Sequence, residues 1–143
     1  MTAKATVTPP WAYTLQLPRD PRAPGVARST LRTVLRVHGL GALTETAELL
    51  ASELVTNAYV HSTGEYSLRL RGAGRQRVRL GVWDSNPYIP EPFNRCAEPP
   101  AALAERGRGL HIVRHWAASW GAYAMGGGLP GQGGKLLWVE CAG

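Results

Sequence analysis

Cysteine is scarce in this chain. Its 143 residues hold two, Cys96 and Cys141, far apart and outside any CxxC or Cys/His cluster. That excludes a disulfide framework and a cysteine-based zinc site, and a reduced, cytoplasmic setting is the simplest expectation. Long apolar runs are also missing. No stretch approaches the roughly 20 residues of a membrane helix. The segment 1–10 has a single lysine and no apolar centre, so it does not read as a signal peptide. It is expected to be a short flexible tail, with 11–143 as one domain. Charged residues make up only 18% and apolar residues 44%. This composition excludes disorder and suits a single core. No internal repeat is present.

The net charge is +6, from 16 basic and 10 acidic residues, and only Lys4 and Lys135 among the basic ones are lysine. Basic chains often bind nucleic acid or membranes. Here the arginines are scattered, and the one dense stretch (Arg69, Arg71, Arg75, Arg77, Arg79) alternates as on the solvent face of a hairpin. Aromatic residues are not interleaved with these arginines, which argues against single-strand binding. No direct nucleic-acid partner and no membrane partner is expected.

Trp11 to Leu17 alternates as a strand, and Pro18 ends it. Asp20 and Pro21 read as the N-cap and first residue of a helix running to about His38, where Gly39 stops it. Val26, Leu31, Val34, Leu35 and Val37 are its apolar residues. A second helix begins at Thr44, with Glu45 and Glu48 near its positive end, and reaches about His61. Tyr66 to Leu70 and Arg77 to Trp83 form a hairpin around Gly72-Ala73-Gly74. From Ser85 to Arg108 prolines accumulate and periodicity fades. A structureless stretch of about 20 residues is characteristic of a lid or a disordered segment. A third helix is expected from about Leu110 to Ser119, then strands at Tyr123 to Met125 and Lys135 to Cys141. The order β-α-α-β-β-α-β-β with hairpin connections predicts an α/β two-layer sandwich: a mostly antiparallel mixed sheet with three helices on one face.

The second helix carries the first chemical signal. At about 100° per residue, Leu50, Leu54 and Ala58 form an apolar face, and Asn57 lies about 20° from Leu50. His61 falls on the same side. Glu53 sits at the edge of that face, one turn before Asn57. Burying an unpaired polar group costs on the order of 1–3 kcal/mol, so something must satisfy these side chains. Core hydrogen bonding is one answer. A ligand-lined cleft is the other, with the Asn57 oxygen on a cation and Glu53 on a proton or water. Asp84 ends the strand Val78-x-Leu80-x-Val82, where a carboxylate can accept from a ligand amine, although Asp84-Ser85-Asn86-Pro87 is also ordinary turn chemistry. Gly107-Arg108-Gly109-Leu110 opens the third helix, where small residues and free amides suit phosphate or a lid hinge. Gly126-Gly127-Gly128-Leu129-Pro130-Gly131 matches GxGxxG in letters only, because no helix follows it.

In order and spacing these segments resemble the GHKL (Bergerat-fold) ATPase/kinase superfamily: gyrase-type ATPases, histidine kinases and bacterial anti-sigma-factor kinases. Glu53-Leu54-Val55-Thr56-Asn57-Ala58-Tyr59-Val60-His61 looks like the N box. Asp84 looks like the first G-box aspartate, and Gly107-x-Gly109-Leu110 like the second G box. Gly134 to Val139 resembles the closing strand of the anti-sigma branch. The resemblance spans about Trp11 to Glu140. One departure stands out: the first G box often reads DxGxG, and here it is Asp84-Ser85-Asn86-Pro87.

The resemblance implies ATP and Mg²⁺ as cofactors. Asn57 would hold the Mg²⁺, Asp84 would bind the adenine amino group, and the backbone around Gly107, Arg108, Gly109 and Leu110 would meet the phosphates. Glu53 would be the general base, and Lys135, Arg106 or Arg108 would neutralise phosphate charge. With neither a transducer domain nor a phospho-acceptor helix pair in view, the resemblance points to an anti-sigma-type serine/threonine kinase. Its partners would be a sigma factor, an anti-sigma factor antagonist, or both, and relatives suggest a homodimer. An ATP-sensing module without significant kinase activity is the alternative.

Overall fold

A computed structural model describes residues 11–94, 108–126 and 133–143. The elements follow one another as β1 (Ala12–Leu17), α1 (Ala23–Val37), a 3-10 turn (Gly41–Leu43), α2 (Thr44–His61), β2 (Tyr66–Gly72), β3 (Arg77–Asp84), α3 (Arg108–Trp116), β4 (Ser119–Gly126) and β5 (Gly133–Ala142). The strands form one sheet in the order β1-β2-β3-β5-β4. Every neighbouring pair is antiparallel, and the helices pack on the sheet as expected for an α/β sandwich.

Strand alternation places Val78, Leu80 and Val82 of β3 and Leu137, Val139 and Cys141 of β5 on the helix side, all buried. They meet Leu50, Leu54, Val55 and Ala58 of α2, which are likewise buried. Helix α1 packs against α2 and, more lightly, against β1. Its buried stripe is Ala23, Ala27, Leu31, Val34 and Leu35, spaced by four, four, three and one, which stays on one helical face. Val26 and Val37 lie off that stripe and are exposed.

Several boundaries differ from the sequence expectation; β4, for one, begins at Ser119 rather than Tyr123. Asp20 does not cap α1. Its carboxylate is occupied by the Arg22 amide at 2.7 Å and by the Arg22 guanidinium, so Arg22 becomes the N-cap and Pro24 falls in the first turn. The Arg22 contact also holds the Asp20 carboxyl well below the usual carboxylate range. At the other end of the chain, α3 stops at Trp116 rather than Ser119. The ladder between β4 and β5 claims Ser119 opposite Glu140, and the Ala118 amide already donates to the Glu140 carbonyl at 2.8 Å.

The helix-free face of the sheet carries the arginines of the hairpin. Arg69 and Arg71 are exposed, as a solvated strand face requires, but Arg77 and Arg79 are half-buried. Both pair with Glu140, and the Arg79 guanidinium lies 3.8 Å from the ring centre of Trp138. Trp138 comes from β5, nearly 60 residues on in sequence, so the linear pattern could not show the contact. Among the described residues, no helix is long and apolar enough to cross a membrane.

Candidate functional site

The C-terminal half of α2 lies over the end of the sheet where β3 finishes and β5 begins. Asp84, the last residue of β3, is paired in register with Lys135 near the start of β5. The strands approach closely here. A Cβ on Gly134 would come within 2.5 Å of the Asp84 carbonyl oxygen and 3.0 Å of Trp83 Nε1. Glycine is therefore what lets β5 reach this position.

Asp84 is not open to solvent. Its side chain is 2% exposed and that of Lys135 is 1% exposed, with Lys135 Nζ 2.9 Å from Asp84 Oδ1. The same Nζ donates to the Asn86 carbonyl at 2.9 Å, and the Asn86 amide donates to Asp84 Oδ1 at 2.8 Å. Asn86 continues the chain of contacts. Its Oδ1 accepts from the Tyr88 amide at 3.0 Å, and its Nδ2 donates to the His61 carbonyl at 2.9 Å. The segment after β3 is thus a pair of side-chain turns tied to the last carbonyl of α2, with Asn86 and Tyr88 standing where the DxGxG pattern has its glycines. Two buried charges this close hold only because they pair and are hydrogen-bonded further.

Asn57 supplies the opposite observation. Among the described residues its Oδ1 is buried without a hydrogen-bond partner, and Tyr66 Oη is in the same condition. Leaving an acceptor buried and unpaired costs about 1–3 kcal/mol. Asn57 lines a pocket of about 90 Å³ together with His61, Asn86, Tyr88, Pro90 and Lys135. Among the described residues, no cluster of three or more His, Cys, Asp or Glu side chains is placed to hold a metal ion. A cation held by the Asn57 oxygen would draw on water and phosphate for much of its shell. That is the arrangement Mg²⁺ prefers, since it keeps several waters and rarely uses an all-protein cage. The orphaned Asn57 oxygen fits a magnesium-bound phosphate. The sealed Asp84 carboxylate does not fit a free amine acceptor.

Glu53 is half-buried, one turn before Asn57 on α2. Burial pushes its carboxyl pKa above the ordinary value, which suits a group that must take up a proton near neutral pH. Arg108, Gly109 and Leu110 form the first turn of α3, which packs against α2. The free amides of that turn and its dipole suit an anion. Gly107 lies outside the described residues, as do Arg106 and most of the expected lid. Sequence reasoning did not foresee that Lys135 would neutralise Asp84, or that Asn86 and Tyr88 would wall the pocket. One signal was available for Lys135: the alternation of Leu137, Val139 and Cys141 puts it on the inward face of β5.

Residues 17–128, most of the chain, match the family model described as histidine kinase-like ATPase domain. No curated protein matches the chain.

Proposed function

The chain belongs to the histidine kinase-like ATPase domain family, and from that premise we propose that it is an ATP-dependent serine/threonine protein kinase of the anti-sigma-factor type. The family supports an ATP-binding regulatory function and an ATP-dependent kinase or ATPase activity. ATP with magnesium supplies the transferable phosphoryl group. Asn57 would hold the cation through its unpartnered Oδ1, and this orphaned oxygen is the observation that carries the reading. Glu53, with its pKa raised by burial, would accept the proton from the attacking hydroxyl. The amides of the first turn of α3 would face the phosphates. Positioning and charge stabilisation are most of what phosphoryl transfer asks of a protein.

The acceptor would be a serine or threonine on an anti-sigma factor antagonist, and the protein held in check a sigma factor. A homodimer is part of the same proposal. Incubating the chain with γ-labelled ATP, Mg²⁺ and candidate antagonists tests it. Label on a Ser/Thr side chain is the expected result. Nucleotide binding without transfer to any of them would favour the second reading, an ATP-sensing module without catalysis. That second reading rests on the departure of Asp84-Ser85-Asn86-Pro87 from the usual first G box.

A further inference from the structure

The face of the sheet that carries no helix is graded along its strands. Register aligns its outward side chains in rows. Arg71, Arg79 and Glu140 stand in one row, and Arg69, Gly81 and Trp138 in the next. Trp83, Leu136 and Tyr123 make the row after that. Successive rows are two residues apart, about 6.6 Å along the strands. The face thus runs from charged to apolar. A groove of about 320 Å³ crosses it, with Arg69 and Arg71 on one side and Leu136 and Trp138 on the other. Gly81 lies between the two sides, and Leu136 leans over it: a Cβ there would meet Leu136 Cδ1 at 3.3 Å.

The charge of this groove is one-sided. Its carboxylate, Glu140, is shared by Arg77 and Arg79. Arg69 and Arg71 are exposed and, among the described residues, have no acidic partner. Two guanidiniums two residues apart on one strand match two carboxylates two residues apart on an extended peptide, because both chains have the same rise. One further step of two residues carries a peptide side chain over Leu136 and Tyr123, the latter 50% exposed. A nucleic acid fits less well. The Trp138 ring has the Arg79 guanidinium 3.8 Å from its centre and lies against Gly121, where a Cβ would come within 2.7 Å of it. This indole is committed before a base could stack on it. A second copy would set an arginine-rich face against an identical one, with Glu140 already in use.

We propose that this face docks an extended acidic segment of a partner protein, with carboxylates at positions i and i+2 on Arg71 and Arg69 and an apolar side chain at i+4 against Leu136 and Tyr123. The Asn57 pocket lies on the helix side of the sheet, so the inference does not depend on nucleotide binding.

The test is an NMR titration of the full chain with the synthetic peptide Gly-Leu-Ser-Glu-Ser-Glu-Ser-Leu-Gly, whose pattern reads the same in either chain direction. Saturable shifts of the Arg69, Gly81 and Trp138 amides are expected. Gly-Leu-Ser-Gln-Ser-Gln-Ser-Leu-Gly, without charge, and Gly-Leu-Glu-Glu-Ser-Ser-Ser-Leu-Gly, with the spacing broken, should each bind about threefold or more weakly. The double variant Arg69→Gln/Arg71→Gln changes only exposed side chains and should show a similar loss with the first peptide. The proposal is overturned if the first peptide does not bind, if the broken spacing binds equally well, or if the double variant binds like the wild type. If the double variant does not fold, the peptide series alone decides. An oligothymidylate that shifts the same amides at lower concentration overturns the proposal in favour of a nucleic acid. Shifts of those amides on dilution of the chain alone overturn it in favour of a second copy.

Discussion

Replacing Asp84 by Asn leaves the Lys135 ammonium buried with neutral acceptors only. The side chains are 1% and 2% exposed, so solvent cannot take over the role of the carboxylate. Removing one partner of a buried pair typically costs about 3–5 kcal/mol. In Asp84→Asn the amide oxygen and the Asn86 carbonyl remain as acceptors, which puts the expected loss near the lower end, about 3 kcal/mol. For a chain of this size that corresponds to a fall of roughly 10 °C in Tm. Thermal unfolding followed by circular dichroism reads it directly. Lys135→Met should also destabilise, because among the described residues Asp84 then keeps only the Asn86 amide. The double variant Asp84→Asn/Lys135→Met buries no charge and should recover most of the loss, since replacing both partners of such a pair is often close to neutral. A coupling energy near the size of the single losses is therefore expected from the cycle. A shift below about 2 °C in Asp84→Asn, or strict additivity in the double variant, would show that the pair does not exist in solution.

Glu53→Gln should retain nucleotide binding and lose transfer by about 10²-fold or more in single-turnover assays; retained transfer would remove Glu53 as the base. Because burial raises the Glu53 pKa and the base must be ionised, transfer should fade on acidification at a higher pH than an exposed carboxylate would dictate. Gly134→Ala should cost about 1–3 kcal/mol in urea unfolding, because its Cβ would sit 2.5 Å from the Asp84 carbonyl; a neutral result would mean the strands are further apart. The Cys141 thiol is pushed up to about 12 by burial and by the neighbouring Glu140. The unfolded thiol ionises first as pH rises, so this contribution to stability is present below about pH 9 and is lost at up to about 1.4 kcal/mol per pH unit above it. Cys141→Ala should flatten that alkaline slope, and native Cys141 should resist thiol reagents at neutral pH.

Much of the architecture was legible because it rests on short-range rules. The 3.6-residue period of α2 and the turn after β2 are local, and both elements appear where the pattern puts them. Glu53 and Asn57 were legible for the same reason: polar residues on an inward helical face are conspicuous in a sequence. The misplaced start of α1 came from a contest between two local motifs. Asp20 was read as a cap, but the Arg22 amide and guanidinium take its carboxylate first. The fate of Asp84 was not local at all. Lys135 lies 51 positions away, and only the ladder between β3 and β5 brings the two face to face. The stacking of Arg79 on Trp138 was hidden for the same reason.

The most direct test of nucleotide binding at this site concerns the Asn57 oxygen, which the described residues leave without a partner. Asn57→Leu should be measured by calorimetric titration with ATP, with and without Mg²⁺, alongside its melting temperature. The expected result is loss of magnesium-dependent binding at an unchanged or higher Tm, because the substitution also removes a buried unsatisfied acceptor. Magnesium-dependent binding at wild-type affinity in Asn57→Leu would contradict the account.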